Sequence, residues 1–162
     1  MIDRITAYDI QEVLERKFPP PAYLTIFEVR SRSGFAYRGR LRSADAVIFS
    51  MWESKGLTVS GCEIKVSRQD LKKELETPEK SAAIKKYCDY WWLCVPSSMK
   101  IDDFDMPKDW GIMTFDKHKS YIKKRAPKLQ AEPFTRSFMF SCMRSVSRVL
   151  VDRVMTYCRE IR

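Results

Sequence analysis

Apolar and polar positions follow two rhythms along this chain, and the changes between them mark its elements. Between residues 4 and 18, Ile5, Tyr8, Val13, Leu14 and Phe18 recur near a 3.6-residue period until Pro19, Pro20 and Pro21 end the run, which predicts a first helix. AYLTIFEVR then reads as a strand, dense in β-branched and aromatic residues. RSRSGFAYRGRLR offers Gly34 and Gly39 for a turn, and SADAVIFSMW is a second strand. The polar tetrad Glu53-Ser54-Lys55-Gly56 turns the chain into a third strand, LTVSGCEIKV, so the second and third form an antiparallel hairpin.

Ser67 to Asp70 has the spacing of a capping box, serine and acid each covering an orphan amide, and opens a helix; Thr77-Pro78 suits the start of further helical turns through Lys86. YCDYWWLCVP is a fourth core strand ending at Pro96, and WGIMTF and SYIKKR extend the sheet with two shorter strands. From Thr135 onward, Met139, Met143, Val146, Leu150, Val154, Tyr157 and Ile161 define a long amphipathic helix whose stripe packs on the sheet, with a homodimer seam as the alternative. The order of helix, three strands, helix, strand, short extension and closing helix predicts an α/β sandwich spanning residues 1–162 as a single domain.

The charge balance constrains the partner more than length does. Thirty Lys and Arg against 21 Asp and Glu leave a net charge of +9, which favours a polyanion such as nucleic acid as partner over a neutral small molecule. The amino-terminal residues lack the pattern of a secretory signal, and no apolar stretch reaches the ~20 residues needed to span a bilayer, so the expected location is cytoplasmic. Cys62, Cys88, Cys94, Cys142 and Cys158 are widely spaced within apolar runs, without a C-x-x-C pair and with one histidine in the chain, which predicts buried reduced thiols rather than zinc ligands or disulfides.

Within the third strand, SGCEIKVSRQD carries an acid and a lysine two residues apart. On a strand, Glu63 and Lys65 project to one side while Cys62, Ile64 and Val66 project to the other. Acid-x-lysine triplets arise by chance, and others in this chain lack the setting: Glu53 and Lys55 fall in the predicted turn, Asp70 and Lys72 on a helix where they point about 200° apart. Asp45 in ADAVIF supplies a second acid that the hairpin brings beside Glu63. Two close carboxylates repel unless a cation lies between them, and oxygen ligands suit Mg²⁺ or Mn²⁺. With such an ion, Asp45, Glu63 and Lys65 suit phosphodiester hydrolysis. The same residues also fit an Asp45–arginine pair and a plain Glu63–Lys65 ion pair at a sheet edge.

Asp45, then Glu63-Ile64-Lys65, then a helix and a strand, resembles the PD-(D/E)XK nuclease superfamily. More closely, ADAVIF, EIKVSRQDL, Tyr-Cys-Asp before an aromatic strand ending in Val-Pro, and P-K-x-W-G-I are similar to MmcB-like DNA repair proteins over roughly residues 22 to 127. The resemblance implies a restriction-endonuclease-like core and a Mg²⁺- or Mn²⁺-dependent deoxyribonuclease acting in DNA repair or processing. It makes Asp45 and Glu63 the metal-binding acids, the carbonyl of Ile64 a further ligand and Lys65 the catalytic lysine, with Glu12 or Glu15 of the first helix as a possible additional acid. Ala44 stands where the superfamily often has proline. A binding module that keeps the fold without turnover is the alternative.

Residues 30 to 42 carry five arginines and no acid, with Phe35 and Tyr37 between them, which suits phosphate contact by Arg38, Arg40 and Arg42. Arg68 and Gln69 in the first turn after the motif, and Lys72 and Lys73 beyond them, are further candidates for nucleic-acid contact, or ordinary solvated helix surface. Trp91 and Trp92 point to opposite faces of their strand and are read as packing residues, and His118 as a turn residue.

Overall fold

A computed structural model describes residues 4–32, 42–77 and 79–160. Six strands form one mixed sheet in sequence order. β1 (Tyr23–Arg30), β2 (Ser43–Ser50) and β3 (Val59–Ile64) are antiparallel neighbours. α2 (Arg68–Leu75) and α3 (Glu79–Lys85) then carry the chain across to β4 (Tyr90–Pro96), which runs parallel to β3. β5 (Gly111–Phe115) is parallel to β4, and β6 (Ser120–Lys124) closes the far edge antiparallel to β5. α1 (Ala7–Lys17) precedes the sheet and α4 (Arg136–Glu160) follows it. The chain is thus a mixed α/β fold, with each strand close to its predicted place; β3 is shorter than expected and stops before Lys65.

Helices cover both faces. On one, Leu71 of α2, Ile84 of α3 and Phe138 and Cys142 of α4 pack with Val47, Trp91, Leu93 and Val95. On the other, Ile10, Val13 and Leu14 of α1 pack with Ala46, Cys62, Ile64 and Cys94. The alternation of strand side chains assigns these faces: Trp91 is fully buried among the first set, and Trp92, half-buried, adjoins the second.

Each tryptophan lies over a glycine on the neighbouring strand. Gly61 pairs with Trp91 and Gly111 with Trp92, and a Cβ at Gly61 would stand 2.2 Å from the Trp91 ring, one at Gly111 2.5 Å from the Trp92 ring. Both glycines are required by this close approach rather than by backbone conformation. Gly56 has a different reason: with φ of +86° it ends the short 3₁₀ turn Glu53–Lys55 that joins β2 to β3, where the tetrad predicted a turn.

Capping differs from expectation. The complete box stands at α1, where Asp9 N–H donates to Thr6 Oγ1 at 3.2 Å and Thr6 N–H to the Asp9 carboxylate at 2.7 Å. The Thr6 side chain and backbone bonds hold that carboxyl below the usual aspartate range. At α2 half of the box forms: Ser67 Oγ accepts from Asp70 N–H at 3.1 Å, but the Asp70 carboxylate accepts from the Ser67 hydroxyl at 2.7 Å rather than from its backbone. Thr77 donates its hydroxyl to the Lys73 carbonyl, tying itself to the end of α2.

α4 also departs from its predicted face. Phe138, Ser141, Cys142 and Ser145 are buried, whereas Met139, Met143 and Leu150 of the predicted stripe are exposed. The helix therefore presents Phe138 with small polar residues and a cysteine to the sheet, the small ones allowing close approach, keeps Val146 of the stripe against the core and carries Met139, Met143 and Leu150 outward. Cys62, Cys88, Cys94 and Cys142 are buried free thiols, as predicted. Asp116 accepts from the amides of His118 and Lys119, which fixes the predicted turn. Among the described residues no helix is long and apolar enough to cross a membrane.

Candidate functional site: a lysine among three acids

The hairpin aligns Ala46 with Cys62, which sets Asp45 near the start of β2 across from Glu63 near the end of β3. Both belong to the face covered by α2. Lys65 lies just past the end of β3, where its amide donates to the Cys94 carbonyl at 3.0 Å and extends the parallel pairing by one residue. That bond fixes the backbone from which the side chain turns inward. Its Nζ stands 2.9 Å from Glu63 Oε2, 3.5 Å from Asp45 Oδ2 and 3.4 Å from Glu74 Oε2. Asp45 Oδ2 also accepts the Ile64 amide at 2.7 Å, so this acid is held by the strand that carries the other two site residues.

Glu74 went unpredicted. It sits three residues after Leu71 on the buried side of α2, and an acid inside the stripe of Leu71 and Leu75 was the available signal. The cluster is not a sheet-edge ion pair, because β3 lies between β2 and β4 and the Glu63 side chain is only 5% exposed. Access runs through Asp45, whose side chain is 38% exposed. Next to it the β1–β2 pairing skips a step: Phe27 faces Ala46 and Val29 faces Ala44, while Glu28 between them takes φ of +52°. A non-glycine residue in that region is strained, and here the strain sits directly opposite Asp45.

Burial shifts the equilibria of this cluster. It pushes the Glu63 carboxyl up to about 8, with Asp45 and Glu74 adding to the rise and Lys65 opposing it. For Lys65, burial disfavours the charge, but the carboxylates of Glu63, Asp45 and Glu74 outweigh it and hold the ammonium above the usual lysine range. One ammonium thus serves three carboxyls, a shortage of positive charge that favours the protonated form of Glu63. Among the described residues no three acid, histidine or cysteine side chains stand ready as a metal cage, since Lys65 occupies the space between the acids. The three carboxyls by themselves offer oxygen ligands of the kind that hard divalent cations take.

The other candidates divide. α1 lies on the opposite face of the sheet, so Glu12 and Glu15 are not brought to the cluster; Glu15 instead lines a groove with Phe18 and Leu150. Arg68, though exposed, is engaged by other parts of the chain, donating to the Lys100 carbonyl and, at 3.0 Å, to Asp103, with its guanidinium 4.8 Å from the Phe104 ring centre. Gln69, Lys72 and Lys73 are exposed along α2. Arg38 and Arg40 lie outside the described residues, and Arg42, half-buried, accepts the Ser31 amide at its carbonyl. The carboxyl ends of β3 and β4 open into a cleft of about 570 Å³ walled by Arg4, Val66, Arg68, Pro96, Lys100 and Asp103.

A mixed six-stranded sheet covered by helices on both faces places the chain in the α/β class. Among solved structures it is similar to SPO1766, a protein of unknown function from Silicibacter pomeroyi, at a TM-score of 0.63 and 14% identity over 96% of this chain and 93% of that one. That likeness concerns the fold. No protein-family model and no curated protein matches the sequence.

Proposed function

We propose that this chain is a metal-dependent nuclease of the PD-(D/E)XK type acting on DNA, related to the MmcB-like proteins, and that α1, β1 to β3, α2 and β4 are its restriction-endonuclease-like core. The observation that carries the reading is the convergence of Asp45, Glu63 and Lys65, with Glu74, at one interior strand end. Asp45, Glu63 and Glu74 would hold Mg²⁺ or Mn²⁺, with the Ile64 carbonyl as a possible further ligand. When bound there, the ion supplies Lewis-acid polarisation of a phosphoryl oxygen and a more acidic water.

The protein's own groups supply the rest. Asp45, held by the Ile64 amide, is pre-oriented and is the acid that solvent reaches. A bound ion would compete with the proton that burial favours on Glu63, so occupancy would rise at higher pH. Lys65 must swing off Glu63, and its ammonium is then placed to stabilise negative charge on a phosphate or to hold a water. Gln69, Lys72 and Lys73 lie, with Asp70, on the exposed side of α2, the helix that follows Lys65.

Purified protein incubated with linear, nicked, branched and single-stranded DNA in Mg²⁺ or Mn²⁺ tests the reading. Cleavage abolished by Asp45→Ala, Glu63→Ala and Lys65→Ala, each with DNA binding mostly retained, is the expected outcome. Binding without cleavage of any of these substrates in either metal would favour a non-catalytic module that keeps the fold.

A further inference from the structure

The end of the sheet remote from the acids holds a second surface of distinct chemistry. On the α1 face, α1 covers the middle of the sheet and leaves the amino end of β3 and β4 open. There a trough of about 500 Å³ crosses the sheet, lined from β1, β2, β3, β4, β5 and β6 in turn. Six strands at about 4.8 Å spacing make it roughly 24 Å from side to side. Its floor carries Tyr90 and Trp92 of β4, and its rim carries Tyr23, Lys17, Lys55 and Arg125. Among the described residues lining it there is no acid, so the three cations face the opening without a carboxylate between them.

The aromatic groups are set in place. Trp92 lies over Gly111, which leaves its ring flat against β5, and the parity of β4 puts Tyr90 on the same face two residues away. Lys55 Nζ stands 5.9 Å from the centre of the Tyr23 ring, and Lys17 Nζ donates to Ser120 Oγ at 2.9 Å on the opposite wall. Lys17, Lys55 and Arg125 are all exposed. Half-buried aromatic rings on an open sheet, flanked by cations alone, match the chemistry of unpaired bases and their phosphates: every base offers a π face to stack, and the backbone seeks positive charge. A purely apolar ligand or an apolar peptide gains nothing from the cations. A trough that spans the sheet suits an extended strand better than one nucleotide.

We infer that the trough of Tyr90, Trp92, Lys17, Lys55 and Arg125 binds single-stranded nucleic acid by base stacking and phosphate contact, on the face of the sheet opposite the acid cluster. The inference does not rest on the catalytic reading.

The test is fluorescence anisotropy of a labelled oligothymidylate, with tryptophan emission read in parallel, both in metal-free buffer. Binding with quenching is expected for the wild type. The double variant Lys55→Glu/Arg125→Glu should bind at least tenfold more weakly, with a log–log salt slope shallower by about 1.4 for two lost phosphate contacts. Trp92→Leu should lose the quenching, which separates Trp92 from exposed Trp52. Circular dichroism melts verify that the variants fold; the two reversed charges are on exposed side chains. Undetectable binding by the wild type, binding of the double variant within twofold of it, or displacement of the oligomer by an equal concentration of thymidine monophosphate would each overturn the assignment.

Discussion

The two faces of the sheet are covered to different extents, and their chemistry follows. Three helices close the face that carries Asp45, Glu63 and Lys65, so Glu63 and Lys65 are largely withdrawn from water and depend on their neighbours, with Asp45 as the solvent-facing member. A single eleven-residue helix covers the other, leaving cations and aromatic rings in contact with water. The same sheet thus makes one site in which burial perturbs ionisation and another in which charge stays solvated. Removing one charge should therefore be costly on the first face and nearly silent for stability on the second.

Lys65→Met tests this most strongly. It leaves three carboxyls around an apolar side chain, and breaking a buried ionic cluster typically costs about 3–5 kcal/mol. Urea denaturation at pH 8 should show a loss of that order, smaller at pH 5, where Glu63 keeps its proton. Lys55→Met on the open face should change stability by less than about 0.5 kcal/mol. The pH dependence of the wild type follows from the sign of the Glu63 shift. Its folded value, about 8, lies above the ordinary glutamate value of 4.5, so the folded protein binds this proton more tightly than the unfolded chain. The stabilisation is complete below about pH 4.5 and is lost as pH rises through 8. Glu63→Gln should flatten that decline; an unchanged profile would show that Glu63 is already ionised at neutral pH.

The paired glycines sharpen the same contrast at lower amplitude. Gly61→Ala drives a methyl group into Trp91, which is fully buried and has nowhere to turn. Overpacking of this kind costs about 1–3 kcal/mol and occasionally more, and this substitution belongs at the upper end. Gly111→Ala meets Trp92 at 2.5 Å and also Ala126 Cβ at 2.7 Å; the Trp92 ring borders the open trough and can move outward whereas Ala126 cannot turn aside, so the relief is partial and a somewhat smaller loss than at Gly61 is expected. Equal losses in the two variants would mean that the trough does not relieve the contact.

These features were unequally legible in the chain. The strands and helices announced themselves through apolar rhythm, and the pairing of Asp45 with Glu63 followed from the hairpin, because both signals are local. The buried face of α4 did not, since periodicity counts large apolar residues and overlooks Ser141 and Ser145, whose small size lets the helix approach the sheet. Glu74 was hidden for the opposite reason: an acid on a helix is ordinarily solvated, and only the fold of α2 over β3 turns it toward Lys65. Arg68 looked available because its partner Asp103 is 35 residues away.

Divalent ions should act on the closed face alone. By mass action an ion held at 100 times its dissociation constant stabilises by about 2.7 kcal/mol. Thermal melts with Mg²⁺ or Mn²⁺ should show a rise that is larger at pH 9 than at pH 6, because Glu63 must release its proton, and that disappears in Asp45→Asn. A rise that is independent of pH would place the ion away from Glu63.

The smallest effect concerns Arg68, which stands at the amino end of α2 yet is spent within the fold. Its side chain is 45% exposed and its partner Asp103 is 73% exposed, so their 3.0 Å ion pair is screened by water and contributes about 0–1 kcal/mol. Arg68→Ala should lower stability by no more than that, with part of the loss coming from the Phe104 contact. Its effect on duplex DNA affinity discriminates further. A lysine that touches phosphate changes the log–log salt slope by about 0.9 when removed, which is the change expected for Lys72→Ala or Lys73→Ala. Arg68→Ala should leave the slope unaltered, because its guanidinium already has Asp103 and the Lys100 carbonyl to satisfy it. A slope change as large as that of the lysine variants would mean that Arg68 leaves Asp103 for a phosphate when DNA binds.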